Sequence, residues 1–164
     1  MALGDITIYS ENAFGYPGDD VFSVAASATT IKAGEPVSKP LGNSAGAVVA
    51  PLATNKPVVA TDFMAGIAAT TSTNTAGAAG TVRVTKLVPG VSYLIAPNSS
   101  AAYDTQAEYD ALVGARVLFD LTTGVYTILA SDGATSGLVV EPLDISKFPG
   151  KVRFSIRAGV SYLA

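Results

Sequence analysis

A chain of 164 residues with a net charge of −3, no Cys and no His has the size of one domain, makes no disulfide and holds no zinc on thiolates. It also lacks a thiolate nucleophile and the imidazole that is the usual general base near neutral pH. Ten basic residues against thirteen acidic ones exclude a general nucleic-acid binder, which needs clustered Lys and Arg in excess to neutralise phosphates.

The hydrophobic share is 49% but is weighted to Ala and Val, and sixteen Gly with no Trp give the composition of a β protein with many turns. The amino terminus, MALGDITIYSEN, has no basic stretch ahead of an apolar one, and Asp5 stands where a signal peptide needs apolar residues. Synthesis in the cytoplasm without export is the expectation. DITIY reads as a strand from Asp5 to Tyr9, with Ile6 and Ile8 on one face, able to add to another sheet. Ser10 to Asp20 is irregular and places Phe14 and Tyr16 among Gly, Pro and acids. Aromatic residues are seldom spent on loose exposed chain, so either this domain or a partner covers them. Residues 1–28 are therefore read as an amino-terminal arm containing one strand, with Ile6, Ile8, Tyr9, Phe14 and Tyr16 as candidate contacts to a neighbouring molecule. The alternative is an arm folded back onto its own body. Asp19 and Asp20, after Pro17-Gly18, read as a turn, because the alternating ligands of a calcium loop are missing.

Residues 29–164 are expected to form a single β domain. Short strands are predicted at Val21 to Ala26, Ala47 to Leu52, Pro57 to Ala60 and Ala65 to Ala69, separated by Gly, Pro, Asn and Thr clusters. AGAVVAPLA is cut by Pro51 and followed by Asn55 and Lys56, far short of the roughly 20 apolar residues of a membrane helix. ATTSTNTAGAAGTVRV carries Gly77 and Gly80 in a faint likeness of a phosphate loop, but it lacks the Lys and precedes a strand rather than a helix. It reads as a mobile, uncharged surface loop.

VRVTKLVPGVSYL, from Val82, returns as VRFSIRAGVSYL, from Val152. In the second copy Val152, Phe154 and Ile156 alternate with Lys151, Arg153, Ser155 and Arg157, the period of two that sends side chains to opposite faces of a strand. Val82 and Val84 do the same against Arg83 and Thr85. Each copy then meets a glycine, Gly90 or Gly159, and Gly124 to Leu129 is a looser echo. No residue type in the repeat does chemistry, so it reads as a recurring strand, turn and strand rather than a duplicated site.

One helix is predicted, from Asp104 to Val113, with Asp104 as cap, Ala107, Ala111 and Leu112 at helical spacing and Gly114 as terminator. Asp104, Glu108 and Asp110 could serve as catalytic acids only with an opposing wall and a raised pKa, and a solvated helix face is the preferred reading. Further strands are predicted at Ala115 to Leu121 and Leu138 to Leu143. Lys151, Arg153 and Arg157, with Lys147 close by, form either a basic docking stripe for an acidic partner or charges that guard the outer face of a strand from mispairing.

The fold expected from these elements is all-β: a small barrel or sandwich of short antiparallel strands with one short helix and an extended amino-terminal arm. The order of features from Thr30 onward resembles that of the cement, or head decoration, proteins of tailed-bacteriophage capsids. The resemblance runs through TIKAGEPVSKPLG with its Ala-Gly-Glu-Pro-Val strand entry, Gly66 to Ala68, TVRVTKLVPGVSYLIA, a short polar helix, LVGARVLFD leading into TTGVYTIL, and a closing strand rich in Val and Arg. It departs in the long Thr70 to Gly80 loop and in the extended arm. The resemblance implies a structural virion protein without catalysis, metal or cofactor, bound to the major capsid protein on the outside of the shell. It further implies a homotrimer at three-fold positions that holds the shell against internal DNA pressure, with no nucleic-acid or membrane partner. Another virion component, such as a tail or spike adaptor, shares the composition. A carbohydrate-cleaving β-sandwich would instead need two carboxylates facing one groove.

Overall fold

The computed structural model describes residues 6–10, 18–39, 48–52, 56–58, 63–121, 125–129 and 136–157. Among the described residues, eleven strands and one short α-helix make this an all-β protein. In chain order the strands are β1 (Thr7–Ser10), β2 (Asp19–Val24), β3 (Pro36–Lys39), β4 (Val48–Pro51), β5 (Phe63–Ala68), β6 (Gly80–Thr85), β7 (Ser92–Ile95), β8 (Arg116–Asp120), β9 (Thr127–Leu129), β10 (Leu138–Val140) and β11 (Val152–Ile156). Five of them close a barrel in the order β2-β4-β3-β5-β6, and the other six form a sheet in the order β1-β7-β11-β10-β8-β9. No described helix is long and apolar enough to cross a membrane.

The barrel follows from short strands with small inward residues. β6 buries Val82 and Val84 and turns Thr81 and Arg83 outward, while β2 buries Phe22 and Val24. With Ile31, Val37, Val49, Ala65 and Ala68 they fill the interior. A five-stranded barrel is narrower than an eight-stranded one, and side chains of this size suit it. The expectation of antiparallel strands needs one correction: β2 and β4 run parallel, with Ser23 beside Val48. The chain between them exceeds the dozen or so residues that a parallel crossover requires, and β3 is laid down on the far side of β4.

β5 is the wall common to both bodies. Its register against β3 slips by one residue, Val37 facing Gly66 and Ser38 facing Met64, which leaves Ala65 as a bulge. Strict alternation would put positions three apart on opposite faces. The bulge instead sends Ala65 and Ala68 into the barrel, and Met64 and Ile67 into the larger core beneath the six-stranded sheet. Gly66 takes φ +151°, and a Cβ there would run into the carbonyl oxygen of Thr85 on β6.

The larger core is aromatic. β11 buries Val152, Phe154 and Ile156, as its alternation predicts, and the Phe154 ring lies 5.6 Å from those of both Tyr93 and Phe119. Phe119 in turn meets Tyr126 edge-on at 6.3 Å. The two copies of the repeated stretch serve different bodies: β6 belongs to the barrel and β11 to the sheet. The tail of the first copy is β7, which pairs with β11 so that Tyr93 lies beside Phe154. GVSYL of the second copy lies outside the described residues.

Other elements shift. Of the strand expected at Pro57 to Ala60, residues 57 and 58 lie in no named strand; Lys56 and Val58 make isolated bridges to Phe119 and Ser136, and residues 59 and 60 lie outside the described set. β3 escapes a reading by alternation because it holds only four residues and opens on Pro36. β2 begins at Asp19 inside the barrel, so an arm extending to residue 28 overruns a barrel strand. α1 (Gln106–Leu112) is capped by Thr105, not Asp104. The backbone N–H of Glu108 donates to the Thr105 hydroxyl and the Glu108 carboxylate accepts from the Thr105 N–H, a reciprocal capping box. Tyr109 is its buried residue, while Ala107 and Ala111 are exposed and Leu112 is half-buried.

Burial holds several phenols protonated. Desolvation pushes Tyr103 and Tyr109 up from the ordinary 10.0 to about 12, and raises Tyr126 further, with the Glu35 charge adding to its desolvation. Above pH 10 these groups ionise in the unfolded chain while the folded protein keeps its protons. The native state then binds more protons, and stability falls as pH rises. The melting temperature is expected to stay level from about pH 7 to pH 10 and to drop steeply between pH 10 and 12, with tyrosinate absorbance appearing together with unfolding. Full tyrosinate formation near pH 10 in a still-folded protein would contradict this.

Candidate docking surfaces

The described part of the arm lies on this chain's own sheet. β1 pairs antiparallel with β7, Thr7 beside Leu94, Ile8 beside Tyr93 and Ser10 beside Ser92. Ile6 is half-buried against the larger core. Ile8 and Tyr9 belong to the β1 backbone, and Phe14 and Tyr16 lie outside the described residues. For residues 7–10, then, the arrangement is the folded-back one. β7 offers an open edge of N–H and C=O groups, and a strand laid along it satisfies them.

Asp19 and Asp20 are not in a turn. They open β2 opposite Thr85 and Val84 of β6. Arg83 reaches the Asp19 carboxylate at 2.7 Å, Thr85 donates its hydroxyl to the same group at 2.6 Å, and Lys86 meets Asp20 at 2.7 Å. The Thr85 hydroxyl first, with Arg83 after it, holds Asp19 below the usual carboxylate range. These acids and bases fasten the barrel seam between β2 and β6.

The basic stripe is broken up in the same way. Arg153 is half-buried and turned inward, one guanidinium nitrogen donating to the carbonyl of Pro142 and another to the Ser92 hydroxyl, each at 3.0 Å. Its backbone N–H donates to the Tyr109 hydroxyl, which donates to the Glu141 carbonyl. Arg153 therefore ties β11 to β7 and to the segment after β10. Lys151 is half-buried, Arg157 is exposed, and Lys147 is exposed and paired with Asp144 at 3.2 Å. Of the three stripe residues, Arg157 alone is exposed.

The Thr70 to Gly80 loop is not loose. Asn74 is 3% exposed; its amide donates to the carbonyls of Ser27 and Thr29, and its oxygen accepts from the Ser72 hydroxyl. Ser72 in turn accepts from the Ile31 N–H at 2.8 Å. Because Ile31 is part of the barrel core, this polar network fixes the loop to the barrel. The Asn74 backbone presses on Gly80 where a Cβ would stand. Uncharged composition suggested looseness, whereas buried side-chain amides and hydroxyls that are fully bonded rigidify.

Two of the three acids near α1 meet. Asp104 and Glu108 stand in hydrogen-bond contact; Glu108 pushes the Asp104 carboxyl up, and Asp104 followed by Thr105 holds that of Glu108 down. A raised carboxyl is thus present. Yet the two acids touch each other, where glycoside cleavage needs carboxylates about 5 to 9.5 Å apart across a groove. A cleft of about 220 Å³ opens beside Asp104, lined by Pro97, Tyr103, Ile145 and Pro149 among others. An adjacent shallow depression of about 450 Å³ is lined by Gln106, Asp110, Pro142, Leu143 and Asp144. Gln106 bridges its two sides, donating to Asp110 and the Leu143 carbonyl and accepting from the Ile145 N–H. Tyr103 escaped the sequence reading; its one signal was an aromatic residue placed just before a helix cap in SSAAYDT. Among the described residues no cluster of three or more acids stands close enough to hold a metal ion. Comparison of the chain with family models, with curated proteins and with solved structures gave no match.

Proposed function

We propose that this protein is a structural component of a bacteriophage particle, a cement protein that binds the outside of the assembled head and stabilises it. Its partners in this reading are the major capsid protein and two further copies of itself around a three-fold position. The order of sequence features from Thr30 onward supports the reading. The observation that carries it is the place of β1: Thr7–Ser10 is an end strand whose strand partner among the described residues is β7. Such a strand can leave its own sheet and pair with the equivalent edge of a neighbouring copy, because the hydrogen bonds lost and made are the same. Exchange around three copies closes a ring, and Ile6, Ile8, Tyr9, Phe14 and Tyr16 are then the contacts to the neighbour or the shell. Arg157 is the stripe residue available to an acidic partner. Binding the assembled lattice and not its pieces shifts the equilibrium toward assembly, and many copies multiply a modest contact energy.

The test is a reconstruction of virions from a phage that encodes this chain. Density of the barrel and sheet is expected on the outer face of the shell at three-fold positions; density confined to the tail or a spike would overturn the reading in favour of an adaptor. A truncation beginning after Ser10 separates the roles of the arm. The body should still fold, with a melting temperature lower by about 2 to 4 °C for each kcal/mol that the lost edge strand contributed, while binding to heads falls at least tenfold as multivalent attachment is lost. Unchanged head binding would show that the arm makes no docking contact.

A further inference from the structure

Tyr103 is 4% exposed, yet its hydroxyl meets no hydrogen-bond partner among the described residues. Idle buried hydroxyls are uncommon and call for an explanation. The same side chain lines the 220 Å³ cleft, together with Pro97, Ile145 and Pro149, and Asp104 stands at that cleft in contact with Glu108. The cleft is smaller than the roughly 300 Å³ at which pockets for whole small molecules begin. It is the size of one long side chain.

We propose that this cleft is a docking site for an arginine side chain presented by a partner protein, with the stem against Pro97, Ile145 and Pro149 and the guanidinium on Asp104 and the Tyr103 hydroxyl. The chemistry selects that occupant. An apolar side chain would bury the acid and leave the hydroxyl idle. Lysine offers three donors on a single nitrogen, whereas the guanidinium spreads five N–H groups in a plane that stacks on flat apolar surface and can serve two acceptors at once. Glu108 is already committed, its Oε2 accepting from the backbone N–H and the hydroxyl of Thr105. Asp104 is the carboxylate left to receive the cation. A positive charge there also offsets the charge of Glu108, whose hydrogen bond first and negative charge second push the Asp104 carboxyl up. Lys147, the nearest base along the 144–150 segment, is engaged by Asp144.

The experiment is an amide-resolved NMR titration of the full chain with Nα-acetyl-arginine methylamide. The citrulline analogue, of the same shape without charge, and the norleucine analogue, apolar throughout, are run beside it. Saturable shifts are expected at Ser100, Tyr103, Asp104, Ile145 and Gly150, with arginine binding about tenfold more tightly than citrulline, and with added salt weakening it. Asp104→Asn should remove most of that preference, and Tyr103→Phe, which keeps the ring, should weaken arginine binding about threefold to tenfold while leaving citrulline less affected. Both variants are to be checked for an unchanged fold by the dispersion of the remaining amides. Equal binding of all three probes, shifts centred on Asp110 and Asp144, no saturable shift, or full binding by Asp104→Asn would each overturn the proposal.

Discussion

Replacing Phe154 by Ala is expected to lower the stability of this protein by about 3 to 5 kcal/mol, the usual cost of removing a fully buried Phe. The residue has no exposed surface. Its ring is held between Tyr93 on β7 and Phe119 on β8, both at 5.6 Å, so truncation leaves two aromatic faces without a partner in addition to the cavity. Neither neighbour can collapse into the gap easily. Tyr93 is tethered by its hydroxyl, which accepts from the Val88 N–H at 3.1 Å, and Phe119 is already packed edge-on against Tyr126. Native stabilities are commonly 5 to 15 kcal/mol, so the variant should be close to the limit of folding. Urea unfolding measures the effect: the midpoint should fall sharply with an unchanged slope. Phe154→Leu, which retains most of the volume, should cost well under half as much. An unchanged midpoint for Phe154→Ala would mean that the ring is not enclosed by these strands.

That prediction rests on a register readable in VRFSI itself, since apolar and polar residues alternate there without interruption. Alternation placed β6 in the same way, and the Gly, Pro, Asn and Thr clusters between short apolar runs placed β2, β4, β8 and β10 within a few residues of where they lie. It stopped where one face is not the whole story. FMAGIA is buried almost throughout because β5 serves two cores at once, and an apolar run carries no period from which a bulge can be read. PVSK is too short to show alternation, and the parallel pairing of β2 with β4 depends on a crossover that local pattern does not encode. Charges misled in a consistent way. Asp19 and Asp20 read as a turn, and Arg153 as part of a candidate docking stripe, because their bonding partners, Arg83, Thr85, Lys86, Ser92 and the Pro142 carbonyl, lie elsewhere along the chain. The Thr70 to Gly80 loop looked mobile for the same reason: Asn74 is satisfied by carbonyls more than forty residues earlier. The candidate arginine cleft needs three separate segments, at residues 97–100, 103–104 and 145–150, and no spacing in the sequence announces their meeting.

The bulge in β5 makes Gly66 the position where the smallest change should do the most damage. Gly66→Ala places a methyl group against the Thr85 carbonyl and a Val84 side-chain carbon, all on β6, and does so at φ +151°, a conformation that residues with a Cβ rarely adopt. Strain at such a backbone angle costs about 1 to 3 kcal/mol, and overpacking a close contact about 1 to 3 more. The protein has two ways to respond, and both are costly. If the bulge is kept, β6 must move off β5, which opens the barrel where Ile67 pairs with Thr85 and Ala68 with Val84. If the bulge is abandoned, the strand slips by one residue, and Met64 and Ile67 no longer face the same core, nor do Ala65 and Ala68. A loss of at least about 3 kcal/mol is expected, by either route. Gly77→Ala is the matched control. Gly77 has open space where its Cβ would stand and no positive φ, and an exposed change of that kind should stay within about 0.5 kcal/mol. Thermal and urea unfolding of the two variants side by side measure the difference. Should Gly66→Ala unfold at the same midpoint as Gly77→Ala, the close approach of β5 to β6 and the shared wall between the two cores would both be wrong.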